Sequence, residues 1–137
     1  MTATESQTAQ SRSIVEQFYD AGLRGDIETM MGFLSDDVVI YEPAFLAYGG
    51  KYRGKQGLQA IYEKVLQVTD VMQLKVHYFV VDGDRALAIA GFPVNGTEDY
   101  TLFAEESRLV DGKIVEIRLY YYEPQSLLRV PATEAGV

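Results

Sequence analysis

Residues 101–123 read TLFAEESRLVDGKIVEIRLYYYE, two alternating runs joined at Val110-Asp111-Gly112. A two-residue Asp-Gly turn would pair Arg108 with Val115 and mix charged with apolar side chains on both faces. A three-residue loop, with Gly112 in the left-handed position of a bulge, shifts the register by one. One face then carries Phe103, Glu105, Ser107, Val115, Ile117, Leu119 and Tyr121. The other carries Glu106, Arg108, Glu116 and Arg118, each Arg diagonal to a Glu. Because a one-residue slip turns every side chain to the opposite face, the segregated register is the expected one. It leaves Glu105 as a carboxylate in the middle of an apolar face.

Working outward, residues 74–82 and 85–94 alternate as strands around Asp82-Gly83-Asp84, a second hairpin signal. One face of the later strand reads Ala86, Ala88, Ala90, Phe92, which suits either a cavity wall or a closely packed helix. His77 has no partner legible in the sequence and is read as structural. Further back, Val38-Val39-Ile40-Tyr41-Glu42-Pro43 is a short strand ended by proline. Alternation puts Val38, Ile40 and Glu42 on one face, so Glu42 closes an apolar row. Loop 44–50 carries Phe45, Leu46 and Tyr48, apolar groups suited to roofing a core or a ligand.

Residues 49–56 place Gly49, Gly54 and Lys55 at phosphate-loop intervals, but Gln56 stands where the metal-binding hydroxyl is needed. A turn followed by a helix over 56–68, with Leu58, Ile61, Tyr62, Val65 and Leu66 as its stripe, is preferred. Ile14, Val15, Phe18, Tyr19 and Leu23 recur at helical spacing. Gly25-Asp26 breaks that helix, and Asp26 can cap a second one over 27–33, which presents Ile27, Met30, Met31 and Leu34 to the core. Residues 1–11 are polar and aperiodic, a flexible tail; 12–128 form one domain, and 129–137 a second tail.

Composition narrows the chemistry. At 137 residues the chain holds one domain with a genuine core. It has no cysteine and one histidine, which excludes thiolate and multi-histidine metal sites and makes a Ser-His-acid triad improbable. A net charge of −8 argues against nucleic acid. No run is long enough to span a membrane and the start lacks signal-peptide features, so a soluble cytoplasmic protein is expected. No cofactor or metal is expected.

Helices first and strands after indicate an α+β domain, its helices on one face of a curved antiparallel sheet. In this order the chain resembles the nuclear-transport-factor-2-like superfamily, whose cystatin-like cone includes ketosteroid isomerase, the SnoaL-like polyketide cyclases and limonene epoxide hydrolase. The resemblance rests on five features: a first helix ending in Gly25-Asp26; Phe33-Leu34-Ser35-Asp36-Asp37; a strand ending in acid-Pro; Tyr52-Arg53-Gly54 opening a helix; and Asp111-Gly112-Lys113-Ile114-Val115. It implies an apolar pocket inside the cone.

By the same register, the general base of ketosteroid isomerase falls on Glu42 and its protonated, oxyanion-binding acid on Glu105. The donor tyrosine falls on Phe18, which cannot donate, with Tyr19 next along. The Arg-Asp pair of limonene epoxide hydrolase falls on Ala90 and Phe92 and its other Asp on Leu119, which sets that reaction aside. The late acid of SnoaL-like proteins falls on Tyr122, or on Glu123 if the strand bulges.

Two carboxyl groups in an apolar pocket titrate apart, one remaining a base while the other donates. That suits proton abstraction beside a carbonyl with the enolate oxygen held by the neutral acid. The alternative is structural: Glu42 fixing its loop and Glu105 paired with an Arg. The expected activity is a cofactor-independent isomerase or cyclase for a small, largely apolar carbonyl compound such as a polyketide or terpenoid. The second reading is a non-catalytic binding or assembly domain. The expected substrate wall comprises Phe18, Tyr19, Ile40, Phe45, Tyr62, Ala88, Ala90, Phe92, Phe103, Ile117, Leu119 and Tyr121. Leu102, Ala104, Tyr120 and Tyr122 on the outer face suggest a homodimer through the sheet.

Overall fold

A computed structural model describes residues 2–128. Helix α1 spans Ala3–Leu23 and begins at a capping box: the Glu5 amide donates to Thr2 Oγ1, and the Thr2 amide to Glu5 Oε2. Residues 2–11, expected as a tail, are therefore its cap and first turns. They lack apolar periodicity because their contacts are polar. Ser11 Oγ donates to the Gly83 carbonyl at 2.7 Å, and the Gly83 amide donates to Thr8 Oγ1 at 2.8 Å. The second half buries Ile14, Val15, Phe18 and Ala21. Residues 129–137, the other expected tail, lie outside the described residues.

Asp26 caps α2 (Ile27–Gly32) by accepting from the Thr29 amide. Met30 is buried, but Ile27 is exposed, because a six-residue helix turns only one side to the core. Strand β1 (Leu34–Glu42) starts at Leu34, four residues before the Val38 start read from the sequence, and its register to β6 shifts between Leu34 and Val39. The turn expected near Gly50 contains an edge strand, β2 (Gly50–Arg53), followed by α3 (Gly54–Val65). Helix α3 ends earlier than expected and leaves Leu66 exposed. Four strands follow: β3 (Lys75–Asp82), β4 (Arg85–Pro93), β5 (Tyr100–Val110) and β6 (Lys113–Tyr122), then a short α4 (Gln125–Leu128).

The sheet order is β2-β1-β6-β5-β4-β3. Neighbours pair antiparallel except β1 and β6, which run parallel with Ile40 beside Ile117 and Tyr41 beside Arg118. The curved sheet is thus mixed and does not close. Its hairpins are local and legible in the sequence. The β1–β6 pair joins segments far apart in the chain.

The β5–β6 turn corrects the opening expectation in one respect. It is a two-residue turn, Asp111 at φ 50° and Gly112 at φ 78°, with Val110 opposite Lys113. A bulge at Val115 then restores segregation, setting Arg108 opposite Glu116 and Glu106 opposite Arg118. The faces are those expected except at the bulge, where Ile114 and not Val115 is buried in the core, and the pairing partners shift by two residues. Among the described residues no helix is long and apolar enough to cross a membrane.

Candidate active site

The helices and the inner face of the sheet enclose a pocket of about 110 Å³. Strand geometry supplies its two acids. Glu42 is the last residue of β1, 8% exposed, and the β1–β6 register places it beside Leu119. On the other side Leu119 is paired with Glu105 of β5, and Glu105 in turn with Ala88 of β4. Both carboxyls line the pocket, two strand spacings or about 10 Å apart at their backbones, with Leu119 between them.

Burial governs the electrostatics. It pushes the Glu42 carboxyl up to about 8, the Glu105 charge adding to the rise and the Tyr121 hydroxyl opposing it. It pushes Glu105 up to about 7, opposed by the Tyr19 hydroxyl. The two acids share one pocket, and near neutral pH the pair holds one proton between its members. Tyr121 Oη donates to Glu42 Oε1 at 3.3 Å and accepts from Tyr48 Oη at 3.2 Å. The buried Tyr48 thus reaches the acid through a second phenol.

Tyr19 lies beside Glu105. Burial, then the Glu105 charge, holds its phenol well above the ordinary tyrosine range. The Tyr19 hydroxyl oxygen is fully buried and closes no hydrogen bond of normal geometry. Its ring packs edge-on against Phe18 and Phe79. Tyr62, also in the pocket and pushed up to about 12 by burial, donates only to Met30 Sδ at 3.5 Å.

Of the residues singled out from sequence, Glu42, Glu105, Phe18, Tyr19, Ile40, Tyr62, Phe92, Phe103, Ile117, Leu119 and Tyr121 all border this pocket. Phe45 does not. It is exposed and borders an outer groove that shares Glu42, Leu119 and Tyr121 with the inner pocket. Ala88 and Ala90 are buried but lie off the cavity wall. Their small side chains lie on β4, across which α1 packs, as the close-packing reading of the alanine row requires. Tyr122 and Glu123 are exposed.

Helix residues complete the wall: Leu23, Met30, Leu58, Ile61 and Val65, together with Gly22 and Leu74. Helical spacing marks most of the apolar ones as core, but no sequence signal tells a packed core position from a cavity wall. His77 is exposed and hydrogen-bonded to Tyr100 Oη at 2.9 Å, outside the pocket. The near-match to a phosphate loop forms β2 and the start of α3 instead. Among the described residues no three His, Asp or Glu side chains cluster as a metal site.

Comparison with solved structures places this architecture among known ones. An NTF2-like protein from Burkholderia xenovorans LB400 is 23% identical, with 90% of this chain and 96% of that one covered at a TM-score of 0.74. TerC, co-crystallised with polyporic acid, is 21% identical over 87% of this chain and 98% of its own, TM-score 0.74. A Kribbella flavida protein described as a candidate ketosteroid isomerase is 20% identical over 89% and 83%, TM-score 0.67. No curated protein matches. The SnoaL-like domain model matches residues 15–117, from within α1 to the middle of β6, and the chain belongs to that family within the NTF2-like superfamily.

Proposed function

We propose that this chain is a cofactor-independent acid/base isomerase or cyclase acting on a small, largely apolar carbonyl compound of polyketide, terpenoid or steroid-like character. The observation that supports it is the pair Glu42 and Glu105, on one wall of an apolar pocket, both with pKa values raised into the neutral range. A substrate carbonyl seated at Glu105 accepts a hydrogen bond from its protonated form. That draws the shared proton onto Glu105 and removes the neighbouring charge that raises Glu42. Glu42, now a carboxylate, takes a proton from the carbon beside the carbonyl, and Glu105 holds the enolate oxygen. Return of the proton to another carbon completes an isomerisation; attack of the enolate on a second carbonyl, whose oxygen then takes the proton from Glu42, completes a cyclisation. The fold family includes both reactions. The protein would work in the cytoplasm as a homodimer joined through its sheet.

Proton abstraction has a readout that does not require the natural substrate. In D2O the protein should accelerate hydrogen–deuterium exchange beside the carbonyl of small ketones and 1,3-diketones, followed by NMR. Glu42→Gln should lower this rate at least ~10²-fold with little change in binding. Glu105→Gln, still able to donate, should be harmed less than Glu105→Ala. Exchange no faster than in buffer across the panel, or parental exchange by Glu42→Gln, would defeat the proposal. Phe18, standing where the resemblance expects a donor tyrosine, favours the second reading, a binding domain without turnover. Retained ketone binding with no catalysed exchange would identify it.

A further inference from the structure

We propose that the pocket selects a compact, single-ring or equally small carbonyl compound, anchored by a hydrogen bond from Tyr19 to its oxygen, and excludes multi-ring compounds. That the ligand is a carbonyl compound rests on the acid/base reading, which the size limit narrows to its smallest members, leaving out the steroid-like ones. Its size and its anchor rest on the cavity and on Tyr19.

Volume sets the size limit. The pocket offers about 110 Å³ of space and is partly open to its surroundings. An apolar protein cavity of ~150 Å³ takes up benzene, so roughly one ring with its oxygen fills this one. A four-ring compound carries several times that volume. To admit it, Phe18, Phe103, Ile40 or Ile117 would have to leave packed positions, and each of these is buried. Protein cores resist such shifts because neighbours are already at contact distance.

Tyr19 supplies the anchor. Its hydroxyl is fully buried with no geometrically complete hydrogen bond, a state folded proteins avoid unless a ligand or water completes it. Its ring is held by Phe18 and Phe79, so the hydroxyl position is preorganised. Tyr62, also on the pocket wall, has only a weak thioether acceptor. A hydrocarbon of the right size leaves Tyr19 with only its imperfect contact to Glu105. A ketone does not.

The test measures binding by calorimetry with the full-length protein. The probes are cyclohexanone, 2-decalone and 5α-androstan-3-one, which carry one carbonyl on one, two and four rings, with toluene as the oxygen-free control. Affinity should fall from one ring to four, opposite to the order of hydrophobicity. Tyr19→Phe should weaken cyclohexanone about tenfold, the usual worth of one hydrogen bond, and leave toluene unchanged. Its melting temperature reports that the fold survives.

Four-ring binding as tight as one-ring binding overturns the proposal, as does unchanged cyclohexanone affinity in Tyr19→Phe. The outcome is separable from the acid/base reading through cyclohex-3-enone. Selective one-ring binding without conversion of that compound to cyclohex-2-enone upholds the size and anchor while removing the reaction. Conversion of a four-ring enone at least as fast as cyclohex-3-enone overturns the size inference while upholding the reaction.

Discussion

Glu42 and Glu105 face the same pocket from two strands with Leu119 of β6 between them, so that each carboxyl lowers the other's tendency to ionise. The folded protein holds the Glu42 proton up to about 8, whereas the ordinary value is 4.5. Between those values the folded state binds more protons than the unfolded chain. Stability contributed at this position is therefore intact at about pH 4 and lost as pH rises toward 8. Glu42→Gln removes the ionisation and still accepts from Tyr121. It should match the parent near pH 4.5 and exceed it at pH 9 by at most about 5 kcal/mol, since each tenfold change in proton affinity is worth about 1.4 kcal/mol. Thermal melts of both proteins across this range test it; parallel curves would show that Glu42 titrates normally.

The beginning of α1 is held by polar contacts to one glycine. Thr8 accepts from the Gly83 amide, and the buried Ser11 donates to the Gly83 carbonyl. Gly83 itself has φ 61°, in the turn between β3 and β4. Ser11→Ala should cost about 1 kcal/mol in denaturant unfolding, and deletion of residues 1–11 about 2 kcal/mol or more. A flexible tail would be removed without effect.

These contacts also show what sequence alone could carry. Alternation placed Glu42 and Glu105 on inner faces because the period of a strand is local. Segregation of charge assigned most of the faces of β5 and β6, although the turn is the two-residue one that segregation argued against, and the bulge at Val115 that reconciles the two has no local signature. What no local pattern encodes is which strands become neighbours. The parallel β1–β6 pair, and hence the place of Leu119 between the acids, follows from long-range packing. Thr8 and Ser11 look like tail residues until Gly83 is beside them. Tyr48 reads as a loop aromatic, and its phenolic link to Glu42 through Tyr121 exists only in the fold.

The outer face of the sheet carries Tyr78, Val80, Tyr100, Leu102, Tyr120 and Tyr122, all exposed. Around them Arg85 pairs with Glu106, and Arg108 and Arg118 with Glu116. Apolar groups rimmed by charge are the usual composition of an interface. A homodimer through this face is the expected state, and Tyr120→Glu with Leu102→Glu should give monomers in sedimentation at micromolar concentration. A parental protein that sediments as a monomer would refute it.

Ala88 tests whether the alanine row belongs to the pocket or to the packing beneath α1. It is 3% exposed, paired with Glu105, and absent from the cavity wall, while α1 packs across β3 and β4 on this side of the sheet. Leucine there has no void to enter and must push against the helix that carries Phe18 and Tyr19. Ala88→Leu should therefore destabilise by about 1–3 kcal/mol, as overpacking of a filled core does. A cavity-lining alanine would behave oppositely: stability would hold and ligand affinity would fall. Denaturant unfolding and ketone binding, measured on the same variant, separate the two. Parental stability with lost binding would return Ala88 to the pocket wall.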